Sequence, residues 1–147
     1  MSPATAIRTT GEVLHASCVA FGPAAILILG PSGSGKSALA LQLMALGCDL
    51  VSDDRTEVSI DGEAVMARAP AAIRGMIEAR GIGLLAADVR DRVPVRFVVD
   101  LSQTETERLP PPRQTNVLGR EMPLIHRVES AYFPAAILQY LKGGRSA

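Results

Sequence analysis

The chain has no excess of charge of either sign: its 147 residues carry 15 Lys+Arg against 15 Asp+Glu. Such a balance gives no global field to draw in nucleic acid or an anionic membrane, so neither is expected as a partner. Cysteine is scarce as well. Cys18 and Cys48 are the only two, and they form neither a C-x-x-C pair nor a metal-ligand cluster. They read as small core residues, and with no secretory signal pattern the simplest setting is a reducing cytoplasm. A long unbroken apolar run is missing too. No charge occurs from Val13 to Gly35, but Gly22-Pro23 and the glycines from Gly30 onward interrupt that stretch. Its apolar pieces fall short of the roughly 20 residues a membrane span needs. What is present, 48% hydrophobic and 20% charged residues, is the composition of one folded domain over 1–147, long enough to bury a core.

The most informative segment is Gly30-Pro31-Ser32-Gly33-Ser34-Gly35-Lys36-Ser37, a complete G-x-x-x-x-G-K-[ST] phosphate-binding loop. The apolar run at 24–29 predicts a buried strand before it. Strong helix formers at 38–46 predict a helix after it. Glycines let the turn bend until successive backbone N–H groups converge on phosphate oxygens, and the helix N-terminus adds partial positive charge. The pattern therefore calls for a nucleoside triphosphate, with Lys36 reaching the β and γ phosphates and the Ser37 hydroxyl on Mg²⁺.

Elsewhere strand-like and helix-like segments alternate, which favours a mainly parallel α/β layer with added hairpins. Gly47 closes the helix, and the next strand starts at Cys48. Alternating polarity over 57–60 and 63–66 around Asp61-Gly62 predicts a two-residue hairpin. Pro70 opens a short helix to Ile77, followed by a glycine-punctuated stretch over 80–85. Residues 95–101 read as a strand, Pro110-Pro111-Pro112 as an exposed loop, and 134–142 as a terminal helix ending at Gly143.

A P-loop enzyme needs a carboxylate near Mg²⁺ and, for a hydroxyl acceptor, a base. Asp53-Asp54 ends the strand after the P-loop helix, where ligands of open α/β sheets gather. Asp100 ends a hydrophobic strand in the manner of a Walker B aspartate, a weak pattern because many strands end in Asp. Glu78, Arg80, His15 and Arg108 are single residues that, taken alone, default to surface or core roles.

Together these residues resemble one family, HPr kinase/phosphorylase, which phosphorylates a seryl hydroxyl of the phosphocarrier protein HPr. The resemblance runs from His15 through the P-loop and Gly47 to Leu50-Val51-Ser52-Asp53-Asp54-Arg55. It continues into Glu78-Ala79-Arg80-Gly81-Ile82-Gly83-Leu84-Leu85, similar to the family's Glu-Ile-Arg-Gly-Leu-Gly-Ile-Ile. Glu107-Arg108-Leu109 and Gly119-Arg120 are shorter matches. The resemblance implies an α/β fold of the HPr kinase and phosphoenolpyruvate carboxykinase nucleotide-binding type, ATP and Mg²⁺ as cofactors, and HPr or an HPr-like carrier as partner. It also implies inorganic phosphate and pyrophosphate as partners in a reverse reaction, and hexamers. By the same resemblance Asp54 is the catalytic carboxylate, Asp53 and His15 hold and tune it, and Glu78 shares Mg²⁺ with Ser37. Arg108 and Arg80 neutralise the moving phosphoryl group, and Gly81, Gly83 and Arg120 offer substrate or phosphate contacts. Asp100 has no catalytic counterpart.

The chain departs from the family in several places. It corresponds to the short, catalytic-core form associated with α-proteobacteria. Ala38 stands where Glu is common, no Trp lies near Arg108, and Glu121 replaces Asn after Gly119-Arg120, a region linked to dephosphorylation. Kinase activity is therefore the stronger expectation, with weak phosphorolysis. Two other readings stay open: a small-molecule P-loop kinase, for which 102–121 is the only candidate lid, and a non-catalytic ATP-sensing module.

Overall fold

Apolar residues at six consecutive positions form β3 (Ala24–Leu29), and burial on both faces is what such a run requires. In the computed structural model, which describes residues 11–147, β3 lies near the middle of a nine-stranded sheet. Before it come β1 (Gly11–Leu14) and β2 (Ala16–Phe21). After the P-loop come α1 (Lys36–Ala45), β4 (Asp49–Ser52) and the hairpin of β5 (Thr56–Asp61) with β6 (Ala64–Arg68). A 3₁₀ turn at Ala71–Ile73 leads into β7 (Met76–Ala79) and β8 (Gly83–Ala86), which among the described residues pair only with each other. The chain then forms β9 (Val93–Thr104), β10 (Arg113–Val117), β11 (Arg120–Arg127) and α2 (Phe133–Gly143).

The order β1-β5-β6-β9-β3-β2-β4 hinges on β9, which also carries β11 and, through it, β10. Its start pairs antiparallel with β6, from Val95 to Asp100 it runs parallel to β3, and from Val98 onward it runs parallel to β11 on the other side. The sheet therefore branches along β9. Side chains of the central strands alternate between two cores. Val19, Ile26, Ile28, Phe97 and Val99 meet Leu39 and Leu43 of α1 and Ile137 of α2. Cys18, Ala25, Leu27 and Val98 pack with Val51, Val58, Val65 and Met122 on the other face. Burial raises both thiols, Cys48 to about 11 with Asp49 adding to the effect, so neither is a nucleophile near neutral pH. Phe97 is fully buried and meets the Tyr140 ring edge-on at 4.7 Å. Phe97→Ala should cost about 3–5 kcal/mol by opening a cavity between sheet and α2; an unchanged urea midpoint would contradict this placement.

The α/β class holds, but the strands are not mainly parallel: among the described residues only β3 with β9 and β9 with β11 are parallel pairs of named strands. Hydrophobic periodicity marks a strand without fixing its direction. The helix expected over 70–77 is reduced to the 3₁₀ turn. Gly75 at φ 79° stops it, and Met76, Ile77, Glu78 and Ala79 then alternate outward and inward as β7. The glycine-punctuated stretch becomes the turn and second strand of that hairpin. The other expected elements form with shifted ends, while β1, β2, β10 and β11 were not anticipated.

Candidate active site

β3 delivers the chain into the P-loop, and α1 leaves it. Gly35, at φ 101°, is the residue before α1, and no side chain caps the helix and no acidic residue occupies its first turn. The free N–H groups at the helix start are therefore open to an external anion. Gly30 is needed for space: a Cβ there would lie 2.4 Å from Ser34 Oγ. Lys36 is only 5% exposed, and its Nζ donates to the carbonyls of Gly30 at 2.8 Å and Pro31 at 3.2 Å. The ammonium is thus folded back across the loop, within 3.8 Å of Asp54 Oδ1.

β4 ends at Ser52, and the two acids after it divide the work. Asp53 is buried and accepts three hydrogen bonds: Ser37 Oγ at 2.6 Å and Ser17 Oγ at 3.0 Å on Oδ1, and the Glu78 N–H at 3.0 Å on Oδ2. It ties the P-loop helix, β2 and β7 to one carboxylate. Asp54 faces the open side. Its N–H donates to Ser17 Oγ at 3.0 Å, and Oδ1 accepts His15 Nε2–H at 2.8 Å. Its φ of 66° is left-handed, a conformation Asp tolerates better than most residues. The turn is braced by Ser52 Oγ donating to the Arg55 carbonyl.

His15, Lys36, Ser37, Asp53 and Asp54 therefore converge, joined by the backbone of Glu78. The Glu78 side chain is exposed, as are Arg80 and Gly81 in the adjoining turn and Gly83 at the start of β8. Arg108 is not brought into polar contact with the cluster. It sits exposed in the loop before β10, lining a groove of about 950 Å³ formed with β11 and α2. That loop is pinned by Arg113, whose guanidinium hydrogen-bonds Glu105 and holds its carboxyl down at about 2. Arg120 is farther away. It donates to the Gly62 carbonyl at 3.0 Å at the start of β11, whereas the end of that strand reaches the P-loop through Arg127. At about 3.3 Å per residue, the length of β11 puts roughly 20 Å between Arg120 and the loop. Within one chain, neither Arg120 nor Glu121 can reach a phosphate there. Asp100 lies opposite Leu29 in the ladder, but its Oδ1 is taken by Ser102 N–H at 2.9 Å and Ser102 Oγ at 2.7 Å.

Two site residues escape sequence reasoning. Ser17, fully buried, braces both aspartates. A hydroxyl within an apolar strand is the available signal, since a buried polar group needs a partner. Arg127 joins the P-loop from the far end of β11, and no local pattern announces it.

The residues present fit a magnesium nucleotide. No group of three or more His, Cys, Asp or Glu forms a metal cluster among the described residues. Mg²⁺ typically takes one or two carboxylates plus phosphate oxygens and water rather than an all-protein cage, a demand that Ser37 with a nearby carboxylate meets.

The sequence model of the family described as HPr Serine kinase C-terminal domain matches residues 8–126. The HPr kinase/phosphorylase of Aromatoleum aromaticum is 40% identical over 108 residues, covering 64% of this chain and 34% of that protein. Its counterpart in Chlorobium chlorochromatii is 35% identical over 125 residues, covering 76% of this chain and 38% of that protein. The chain thus spans little more than a third of these relatives. The solved Hpr(Ser) kinase/phosphatase of Coxiella burnetii superposes with a TM-score of 0.75 at 23% identity, covering 89% of this chain and 94% of that one, which establishes a shared fold.

Proposed function

The chain belongs to the HPr serine kinase C-terminal domain family, and from that premise we propose that it transfers the γ-phosphoryl group of ATP to a seryl hydroxyl of HPr or an HPr-like carrier. The observation that carries this reading is the Asp54 carboxylate, held by His15 at 2.8 Å and 3.8 Å from the P-loop Lys36 Nζ. A proton acceptor beside a phosphate-binding cation is what transfer to a hydroxyl requires. A purely nucleotide-sensing module has no use for such a carboxylate.

In this reading the loop N–H groups and Lys36 bind the triphosphate. Asp54 takes the seryl proton as the serine oxygen forms its bond to the γ-phosphorus and the bond to the β-phosphate oxygen breaks, releasing ADP, and His15 keeps the carboxylate aimed. Asp53 orients Ser37, which with Glu78 would hold Mg²⁺; the ion supplies charge neutralisation between the phosphate oxygens. In reverse, inorganic phosphate in the loop attacks phosphoserine, Asp54 returns a proton to the leaving serine oxygen, and pyrophosphate is released. Arg80 and Arg108 are proposed to meet the phosphoryl group or the carrier. The proposed setting is the cytoplasm, and no helix of the described residues is long and apolar enough to cross a membrane. Hexamer formation, implied by the resemblance, is checked by light scattering.

The direct test combines the purified chain, γ-labelled ATP, Mg²⁺ and HPr, with the labelled residue identified. Label on a serine is expected, and no transfer to HPr would overturn the substrate assignment. Glu78→Gln should raise the Mg²⁺ concentration for half-maximal rate several-fold, because a neutral amide holds a hard dication less well than a carboxylate. An unchanged Mg²⁺ titration would return Glu78 to an ordinary exposed side chain.

A further inference from the structure

A loop that turns its N–H groups toward an anion leaves carbonyls directed elsewhere, and a buried carbonyl needs a donor. At Ser34 that donor is a guanidinium: Arg127 Nη2 donates to the Ser34 carbonyl. The same group donates to the Leu101 carbonyl, at 3.3 Å from Nη2 and 3.4 Å from Nε. Arg127 reaches both because the β9–β11 ladder breaks there. Leu124, Ile125 and His126 lie opposite Val98, Val99 and Asp100, but Arg127 falls opposite Thr104 rather than Leu101. Residues 101–103 bulge out of the ladder, which frees the Leu101 carbonyl for the side chain. The Glu105 N–H then closes the bulge on the Arg127 carbonyl at 2.8 Å.

Leu101 also abuts the start of the loop, since a Cβ on Gly30 would lie 3.3 Å from its Cβ. Ser34 gains no anchor from its own side chain, because its Oγ is buried without a partner among the described residues. Arg127 is half-buried and has no carboxylate partner among the described residues. The nearby Glu105 is engaged by Arg113 and Asp100 by Ser102. A half-buried cation bonded to the loop's backbone adds positive potential that favours an anion held there.

We propose that Arg127 is a positioning residue of the nucleotide site. It clamps the P-loop to the bulged end of β9, holding the loop N–H groups in register for the β-phosphate. The inference rests on the reading of residues 30–37 as the nucleotide site. A clamp acting through the loop affects every nucleotide whose β-phosphate the loop cradles, whereas a guanidinium touching the γ-phosphate would affect ATP alone. Arg127→Lys keeps the charge but loses the fork that spans two carbonyls; Arg127→Gln keeps N–H donors and loses the charge.

The test is calorimetric titration of the 147-residue chain and both variants with MgATP and MgADP, alongside the melting temperature of each unliganded protein. Both variants should bind ATP and ADP weaker by a similar factor, roughly tenfold, as expected for losing a hydrogen bond to a charged group. Unliganded melting should change little. Unchanged affinities would overturn the clamp, as would a loss confined to ATP. A lowered melting temperature with unaltered affinities would reduce Arg127 to packing and overturn it as well. Wild-type protein that binds neither nucleotide would overturn the P-loop reading itself, a result distinct from wild-type binding that the variants share.

Discussion

Lys36→Ala and Ser37→Ala should each reduce phosphoryl transfer by about 10²–10³-fold or more, the scale on which removing one preorganised charge-stabilising group acts in a water-poor site. The two losses have different origins. Lys36 is buried, and its ammonium has its fixed position because the Gly30 and Pro31 carbonyls hold it. Alanine removes both the cation that would meet the γ-phosphate and the strap across the loop mouth. Nucleotide affinity should therefore fall together with turnover. Ser37 offers a hydroxyl whose hydrogen is already taken by Asp53 at 2.6 Å, which leaves its lone pairs for a metal ion. Alanine there should hurt chiefly through Mg²⁺, so high Mg²⁺ should recover part of the rate in Ser37→Ala and none in Lys36→Ala. Wild-type turnover by either purified variant would remove the P-loop from the reaction.

How much of this site could be read in the sequence follows from how local each part is. The P-loop is eight consecutive residues between a strand and a helix, so its geometry is set by its own glycines and flanks. Asp53 and Asp54 were legible by position, because they end the strand that follows the P-loop helix. Ser17 was not: its bonds to Asp53 and Asp54 span separations of 36 and 37 residues, and they exist only because β2 and β4 pair antiparallel. Arg127 lies 93 residues from Ser34 and depends on a ladder irregularity that no composition encodes. The β7–β8 hairpin was misread over its first half because Pro70 is a helix-start signal, and the pairing of Ile77 with Leu85 that overrides it is a tertiary fact. Glu78 was expected as a magnesium ligand beside Ser37; in the structure its backbone, not its carboxylate, makes the contact with Asp53. Arg120 shows the opposite failure: a short motif points to the chemistry, while the fold places it at the far end of β11.

Asp54→Asn is expected to leave MgATP affinity close to wild type while lowering seryl transfer about 10²–10⁴-fold, the range that a positioned general base contributes. The substitution isolates proton transfer because it preserves nearly everything else. Asn is almost isosteric with Asp and is at least as tolerant of the left-handed backbone at φ 66°. Its Oδ1 can still accept His15 Nε2–H, and the backbone N–H to Ser17 Oγ is untouched. What disappears is the ability to take a proton from the attacking serine. Asp54→Ala would be a poorer test, since it strains the turn and strands His15 at the same time. Asp100→Asn is the matched control. Its carboxylate serves Ser102 through Oδ1 alone, a role an amide oxygen can fill, so turnover should stay near wild type. Rapid-quench measurement of labelled phosphate on HPr, with nucleotide affinity measured in parallel, separates the outcomes. An inactive Asp100→Asn beside an active Asp54→Asn would make Asp100, within β9, the catalytic carboxylate after all. Loss of nucleotide binding in Asp54→Asn would instead show that Asp54 acts by holding Lys36, its neighbour at 3.8 Å, and not as the base.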